Sequence, residues 1–366
     1  AVGRRHREPA GAAVEAAPQR AATAGDPEHA RRDHRQAAQA RLADRRERFA
    51  IIPGIFLSDD PAVQHAFVQI FDGVSGAVSY HRFPAEQFNA MVIAQRDGSH
   101  HMNVFRVKTD VGLDPTKGTV EGLNGMGECF KSPNWADWPL IANSQQDGHL
   151  DWEFPEGVAN VLQPEEWLMV QSHYVNATSQ KTPDAGKVRI NFWHLPATQV
   201  VHEMGTIFAT KQSIRVCESN PEPSYSGSCQ FNSPDPVQII GANGHFHSRG
   251  KQFDMYKWDG VSVDTPPESD RFYRSEAWDD PPMLISPDLD LTVPSKGGVY
   301  YTSNFQWNTP DPAVGCSGLD EFDKTKYSTT DENLDCCYTF GPIVEKNEHC
   351  NIFVYYYPKA DDVNCF

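Results

Sequence analysis

No run of roughly 18 apolar residues occurs anywhere in the sequence, so no membrane-spanning helix is expected. CxxC pairs are absent, which argues against a zinc ribbon. HExxH is absent too, so the helical histidine pair and glutamate base of many zinc hydrolases have no counterpart. Helical periodicity is missing outside the N-terminal tail, and no internal repeat is evident. Residues 1–50 lack an apolar segment and show no secretory signal. The chain begins at Ala1 rather than Met, as expected of a processed or partial chain.

Charge is unevenly spread. Residues 1–50 hold eleven Arg, seven acids and no Lys, a balance of about +4 within a net charge of −17. The remainder therefore carries about −21, and a body that acidic is expected to repel nucleic acid and anionic membranes. The same fifty residues are rich in Ala, Arg and Glu and nearly devoid of aromatic and β-branched side chains. They cannot bury enough apolar surface to offset ordering entropy, so a disordered tail over 1–50 is expected.

From Phe49 the composition changes. Aromatic and β-branched residues become common, and Pro or Gly recurs every ten residues or so, the rhythm of short strands in sandwiches or barrels. Ala66–Phe71, Met102–Val107, Trp167–Tyr174, Val188–Trp193, Gly298–Phe305 and Ile352–Tyr357 all have strand character. Pro196 follows one strand-like run and another begins at Val200. The expected division is two all-β domains, 51–196 and 197–366.

Eight cysteines are present, seven of them after residue 200. An even, crowded set reads as a disulfide framework in an oxidising compartment, hence a secreted or periplasmic protein. Buried cytosolic thiols are the alternative.

Histidine carries the chemistry. His245 and His247 lie in Gly244-His-Phe-His-Ser-Arg-Gly250, after the apolar run Val237–Gly241. Residues i and i+2 of a strand share a face, so two imidazoles at this spacing can converge on one metal. His100 and His101 are adjacent and would face opposite ways on a regular strand. They can reach one metal only at a strand end or bulge, which the preceding turn signal Asp97-Gly98-Ser99 makes available. His173 ends the apolar run from Trp167, where a core histidine is the simpler reading unless the His100–His101 pair lies opposite. His349 stands at the mouth of a Tyr-rich strand, where it serves as ligand or as strand-end polar residue.

In this order the segments resemble the copper type II, ascorbate-dependent monooxygenases, the family of the peptidylglycine and dopamine hydroxylases. The resemblance runs from about Ser99 to Pro358. It implies two β-sandwich, jelly-roll-like domains, each with one copper. His100, His101 and His173, the last followed by Tyr174, correspond to the first, electron-relaying site. His245 and His247 correspond to the second, where the family binds O2 and abstracts hydrogen from a small-molecule substrate, with ascorbate as the one-electron donor. The family's third ligand there is a Met in an E-M-C segment, whereas this chain reads Glu348-His349-Cys350. Imidazole in place of thioether makes the site harder, favouring Cu(II) and lowering its potential. The catalytic assignment therefore falls on His245, His247 and His349.

The resemblance also implies bridges Cys229–Cys365 and Cys350 to Cys316, Cys336 or Cys337. The family's carboxylate-binding Arg and Tyr correspond here to Asn243 and Phe353, although Asn351 is kept. That argues against a peptide-carboxylate substrate. A non-catalytic copper-binding protein on the same scaffold is the alternative function, with X-ray absorption expected to decide whether Met255 or Met283 supplies a thioether instead of His349.

Overall fold

The computed structural model describes residues 48–51, 74–82, 86–94, 99–108, 120–124, 138–145, 149–163, 166–175, 189–307, 337–341 and 347–366. The protein is all-β. Helical geometry among the described residues is limited to short 3-10 turns such as Ala197–Gln199 and Glu268–Asp270. No helix among them is long and apolar enough to cross a membrane. The expected tail, residues 1–47, and the strand-like Ala66–Phe71 lie outside the described residues. Arg48–Ala50, also expected in the tail, instead enter a strand, Arg48–Ile51, antiparallel to Arg189–His194.

Two sheets are built from residues up to Glu203. One runs Arg48–Ile51, Arg189–His194, Glu86–Ala94, Val158–Leu162 and His202–Glu203 in spatial order, with His149–Glu153 also paired to Glu86–Ala94. The other runs Val120–Asn124, Val74–Arg82, Trp167–Val175, Ser99–Arg106 and Leu140–Ser144. Alternate residues of both meet in one core, with Phe88, Met91 and Ile93 from the first sheet against Met102, Val104, Leu168 and Val170 from the second. Burial extends beyond that shared core: Ala90, Val92 and Trp193 form a smaller buried cluster, and Leu140–Ser144 is buried at every position.

Beyond Met204 a second sandwich forms. One sheet runs Gly205–Thr210, Asn351–Tyr357, Val237–His245 and Leu284–Ile285, with Leu291–Val293 on Val237–His245. The facing sheet runs Arg271–Ser275, Gly250–Trp258, Gly298–Phe305, Ser224–Asn232 and Asp362–Cys365. Their shared core holds Val354 and Tyr356 against Phe253, Met255, Tyr273 and Tyr301. A small sheet of Arg215–Cys217, Cys337–Phe340 and Asn347–Glu348 lies beside it.

The strand Val237–His245 changes phase midway. Its register with Asn351–Tyr357 shifts between Ile239 and Gly241, so Ile240 is an extra residue. Val237, Ile239, Ala242 and Phe246 all enter the second sandwich's core, while Ile240 joins the first sandwich's core. After the bulge, Gly241, Asn243 and His245 share the face that looks toward the first half. They pair with Tyr355, Phe353 and Asn351 respectively. Tyr355 packs in the first half's core, and Phe353 packs with Phe105, Trp138, Leu140 and Met169. Gly241 permits close approach here, because a Cβ would lie 2.7 Å from the Trp152 ring.

Among the described residues two disulfides are present, Cys217–Cys337 and Cys229–Cys365. Each joins directly opposed residues of antiparallel strands. The Cys229–Cys365 bridge is the expected one. The expected bridge to Cys350 is not formed: Cys337 is taken by Cys217, and Cys350 is a free thiol buried in the core. Burial pushes that thiol well above its ordinary pKa range. Disulfides of this kind fit an oxidising compartment.

Candidate metal centre

Three imidazoles converge at the end of the Val237–His245 strand. His245 is its last residue, and His247 follows after Phe246. Phe246 points the other way, into the core, with its ring stacked near Phe253. Gly250 is required beneath it, since a Cβ there would stand 1.8 Å from the Phe246 ring. The turn closes through Gly250 N–H donating to the His247 carbonyl at 2.8 Å. His349 arrives between Asn347–Glu348 and the Asn351–Tyr357 strand.

His245, His247 and His349 each offer a ligand nitrogen, and these nitrogens lie within 4.8 Å of one another. All three are buried, at 3, 2 and 7 % exposure, which excludes a chance surface cluster. The His247 and His349 rings stack at 4.1 Å, with Phe340 stacked on His349 at 4.9 Å, and the His245 ring stands at 5.2 Å from each of the other two.

Hydrogen bonds orient the rings. His245 Nδ1 lies 3.1 Å from Gln145 Oε1, and His247 Nδ1 lies 2.9 Å from the Asn347 carbonyl oxygen. An oxygen acceptor at Nδ1 places the ring proton there and leaves the Nε2 lone pair for a metal. At His349 the sense differs: Asn351 Nδ2 lies 3.3 Å from Nδ1, while Asn351 Oδ1 accepts from the Thr210 hydroxyl. A hydroxyl donates or accepts, so exchanging the two ends of the Asn351 amide would give His349 an oxygen acceptor as well. The donor set fits a first-row transition metal: neutral imidazoles, two of them already presenting Nε2.

Glu348 ties the centre together. Its side chain is fully buried, and one oxygen accepts the His247 N–H at 3.2 Å. The other accepts the Arg249 N–H at 3.0 Å and lies 3.4 Å from Arg249 Nη1. The Arg249 guanidinium lies over the Tyr338 ring, 3.4 Å from its centroid. Burial pushes the Glu348 carboxyl up to about 8, against the opposing pull of Arg249 and of the His247 N–H.

His100 and His101 lie on Ser99–Arg106, and His173 on Trp167–Val175. The register sets His101 directly opposite His173 and shifts between Ser99 and His101, placing a bulge at His100. The side chains of these three residues lie outside the described part of the structure. Met255 is buried in the second sandwich's core, and Met283 packs against the first.

The sequence pattern did not reveal Gln145, the Asn347 carbonyl, the clamping role of Glu348 or the Asn351–Thr210 pair. Gln145 has one visible signal, an amide ending the apolar Leu140–Ser144 strand, but its partner is 100 residues away. No protein-family model and no curated protein sequence matches this chain.

Proposed function

We propose that the protein is a copper-dependent monooxygenase of the kind its motifs resemble. It would hydroxylate a C–H bond of a small organic substrate with O2 and a one-electron donor such as ascorbate. The observation that carries this reading is the convergence of His245, His247 and His349 in a buried, hydrogen-bonded cluster. Copper bound there would supply one-electron redox chemistry between Cu(I) and Cu(II). The chain's own part is to hold three neutral imidazoles, with Gln145 and the Asn347 carbonyl keeping protons on Nδ1 and Glu348 anchoring the turn. His100, His101 and His173 are proposed as the first, electron-relaying copper site, supported by the opposed backbone positions of His101 and His173. A secreted or periplasmic location is supported by the two disulfides.

One observation favours a second reading, copper held without turnover. Asn243 and Phe353, beside the centre on the same face, are 0 and 2 % exposed, and Phe353 is stacked on Phe208 beneath the first half. Copper–zinc competition, followed by electron paramagnetic resonance and ascorbate-driven O2 uptake, tests both. The proposal expects copper to be preferred, with nitrogen-only coordination at the His245 centre and O2 uptake that His245→Ala abolishes. Copper binding without O2 uptake over a broad panel of small organic substrates would select the second reading. A preference for zinc would overturn both.

A further inference from the structure

The centre's three ligands all come from the second sandwich, yet one of their hydrogen-bond partners does not. Gln145 directly follows the Leu140–Ser144 strand of the first sandwich, and its Oε1 meets His245 Nδ1 at 3.1 Å. Both side chains are buried, at 2 and 3 % exposure. Gln145 is held there by the way the halves dock. Two residues earlier, Asn143 Oδ1 accepts a hydrogen bond from the Tyr355 hydroxyl at 2.6 Å. Leu140, on the same strand, packs in the cluster that contains Phe353. Trp152 meets Tyr355 edge-on at 5.1 Å and donates to the Ser286 hydroxyl at 3.0 Å. Ile240 and Tyr355 of the second half belong to the first half's core.

We infer that Gln145 is a positioning residue for the metal centre, so that a residue of the first sandwich sets the tautomer and orientation of a ligand carried by the second. This rests on His245, His247 and His349 binding a metal. An acceptor at Nδ1 fixes the His245 proton there, leaves the Nε2 lone pair available to a metal, and raises the ring's basicity as a ligand. Because the acceptor arrives only with the docked first half, metal binding and docking are linked. By reciprocity, whatever factor docking adds to metal affinity, the metal adds to docking. A separated second sandwich would keep three ligands but lose this partner.

The test uses the full chain and two metals, Cu(II) and Zn(II), each titrated against a chelator of known affinity. Gln145→Leu keeps the approximate size and removes the acceptor. Gln145→Glu keeps an acceptor and strengthens it. The Gln145 Nε2 has no hydrogen-bond partner among the described residues, so replacing it by oxygen removes no bond seen there. Affinity for both metals is expected to fall about 10–100-fold in Gln145→Leu and to stay at or above the wild-type value in Gln145→Glu. A readout on the wild-type chain needs neither variant nor metal: nitrogen-15 spectra of the metal-free protein should show His245 protonated at Nδ1. Gln145→Leu binding metal like wild type, equal losses in both variants, or a His245 proton on Nε2 would each overturn the inference. A wild-type chain that binds neither metal would instead remove the metal-site reading on which it rests.

Discussion

Removing the Glu348 carboxylate should destabilise the second sandwich and loosen the metal centre together. In Glu348→Ala, the His247 and Arg249 N–H groups lose their acceptor, and the Arg249 guanidinium loses its carboxylate. Arg249 is 1 % exposed, so bulk water does not replace what is lost. With the carboxyl ionised, at pH values above about 8, breaking this buried ion pair by deleting one partner costs about 3–5 kcal/mol. The Arg249–Tyr338 contact is present before and after, so it offsets nothing. At roughly 2–4 °C per kcal/mol for a unit of 150–250 residues, thermal unfolding of the second sandwich should fall by about 6–20 °C. Glu348→Gln should cost less, since it keeps one acceptor oxygen and avoids burying a group whose ionisation burial already opposes. Metal affinity should drop about 10–100-fold in Glu348→Ala, because the His247–Gly250 turn loses its anchor. Circular-dichroism melting and chelator competition measure the two effects. A Glu348→Ala protein that melts within about 3 °C of wild type and keeps its metal affinity would refute the reasoning, which ties both to one carboxylate.

Two further outcomes follow from the same region. The Cys350 thiol is fully buried and its ionisation is opposed by burial, so raising the pH toward 9 should not make it react in the native protein; peptide mapping after alkylation should find it modified only in the unfolded chain, and rapid native modification would contradict its placement. At the third ligand, His349→Ala should cost more metal affinity than loss of an outer partner, more than about 10–100-fold, while His349→Met should add a sulfur scatterer to the X-ray absorption of the reduced, copper-loaded protein, and no change in either variant would remove His349 from the site.

The all-β architecture was legible because aromatic and β-branched residues concentrate in segments such as Met102–Val107 and Ile352–Tyr357, the latter reading as a continuous apolar run because both its faces are buried. The His245–His247 spacing was legible for a separate reason, since i and i+2 converge wherever a strand end is reached. What stayed hidden depends on contacts between distant segments. The Cys217–Cys337 pairing is set by strand register across 120 residues, which no local spacing encodes. The expectation for Cys350 failed because position 350 falls on the strand's inward phase, among the side chains of the second core. Gln145 reads locally as an ordinary strand-end amide, and only docking brings it to His245.

The extra residue at Ile240 makes the chemistry of this chain a question of odd and even. Counting by twos from Val237 without a bulge would send Asn243 and His245 into the oily interior with Ile239, and Phe246 out toward the opposing sandwich. One added residue exchanges those destinations for the rest of the strand. Side-chain identity at 240 is then a packing matter, open to other aliphatic residues, while the residue count is not negotiable. Deleting one codon would invert the strand's last turn of side chains while leaving every ligand in the sequence. On a scaffold like this, a change in length, rather than any change of residue type, can move a histidine between the second sandwich's core and the buried cluster it forms with His247 and His349.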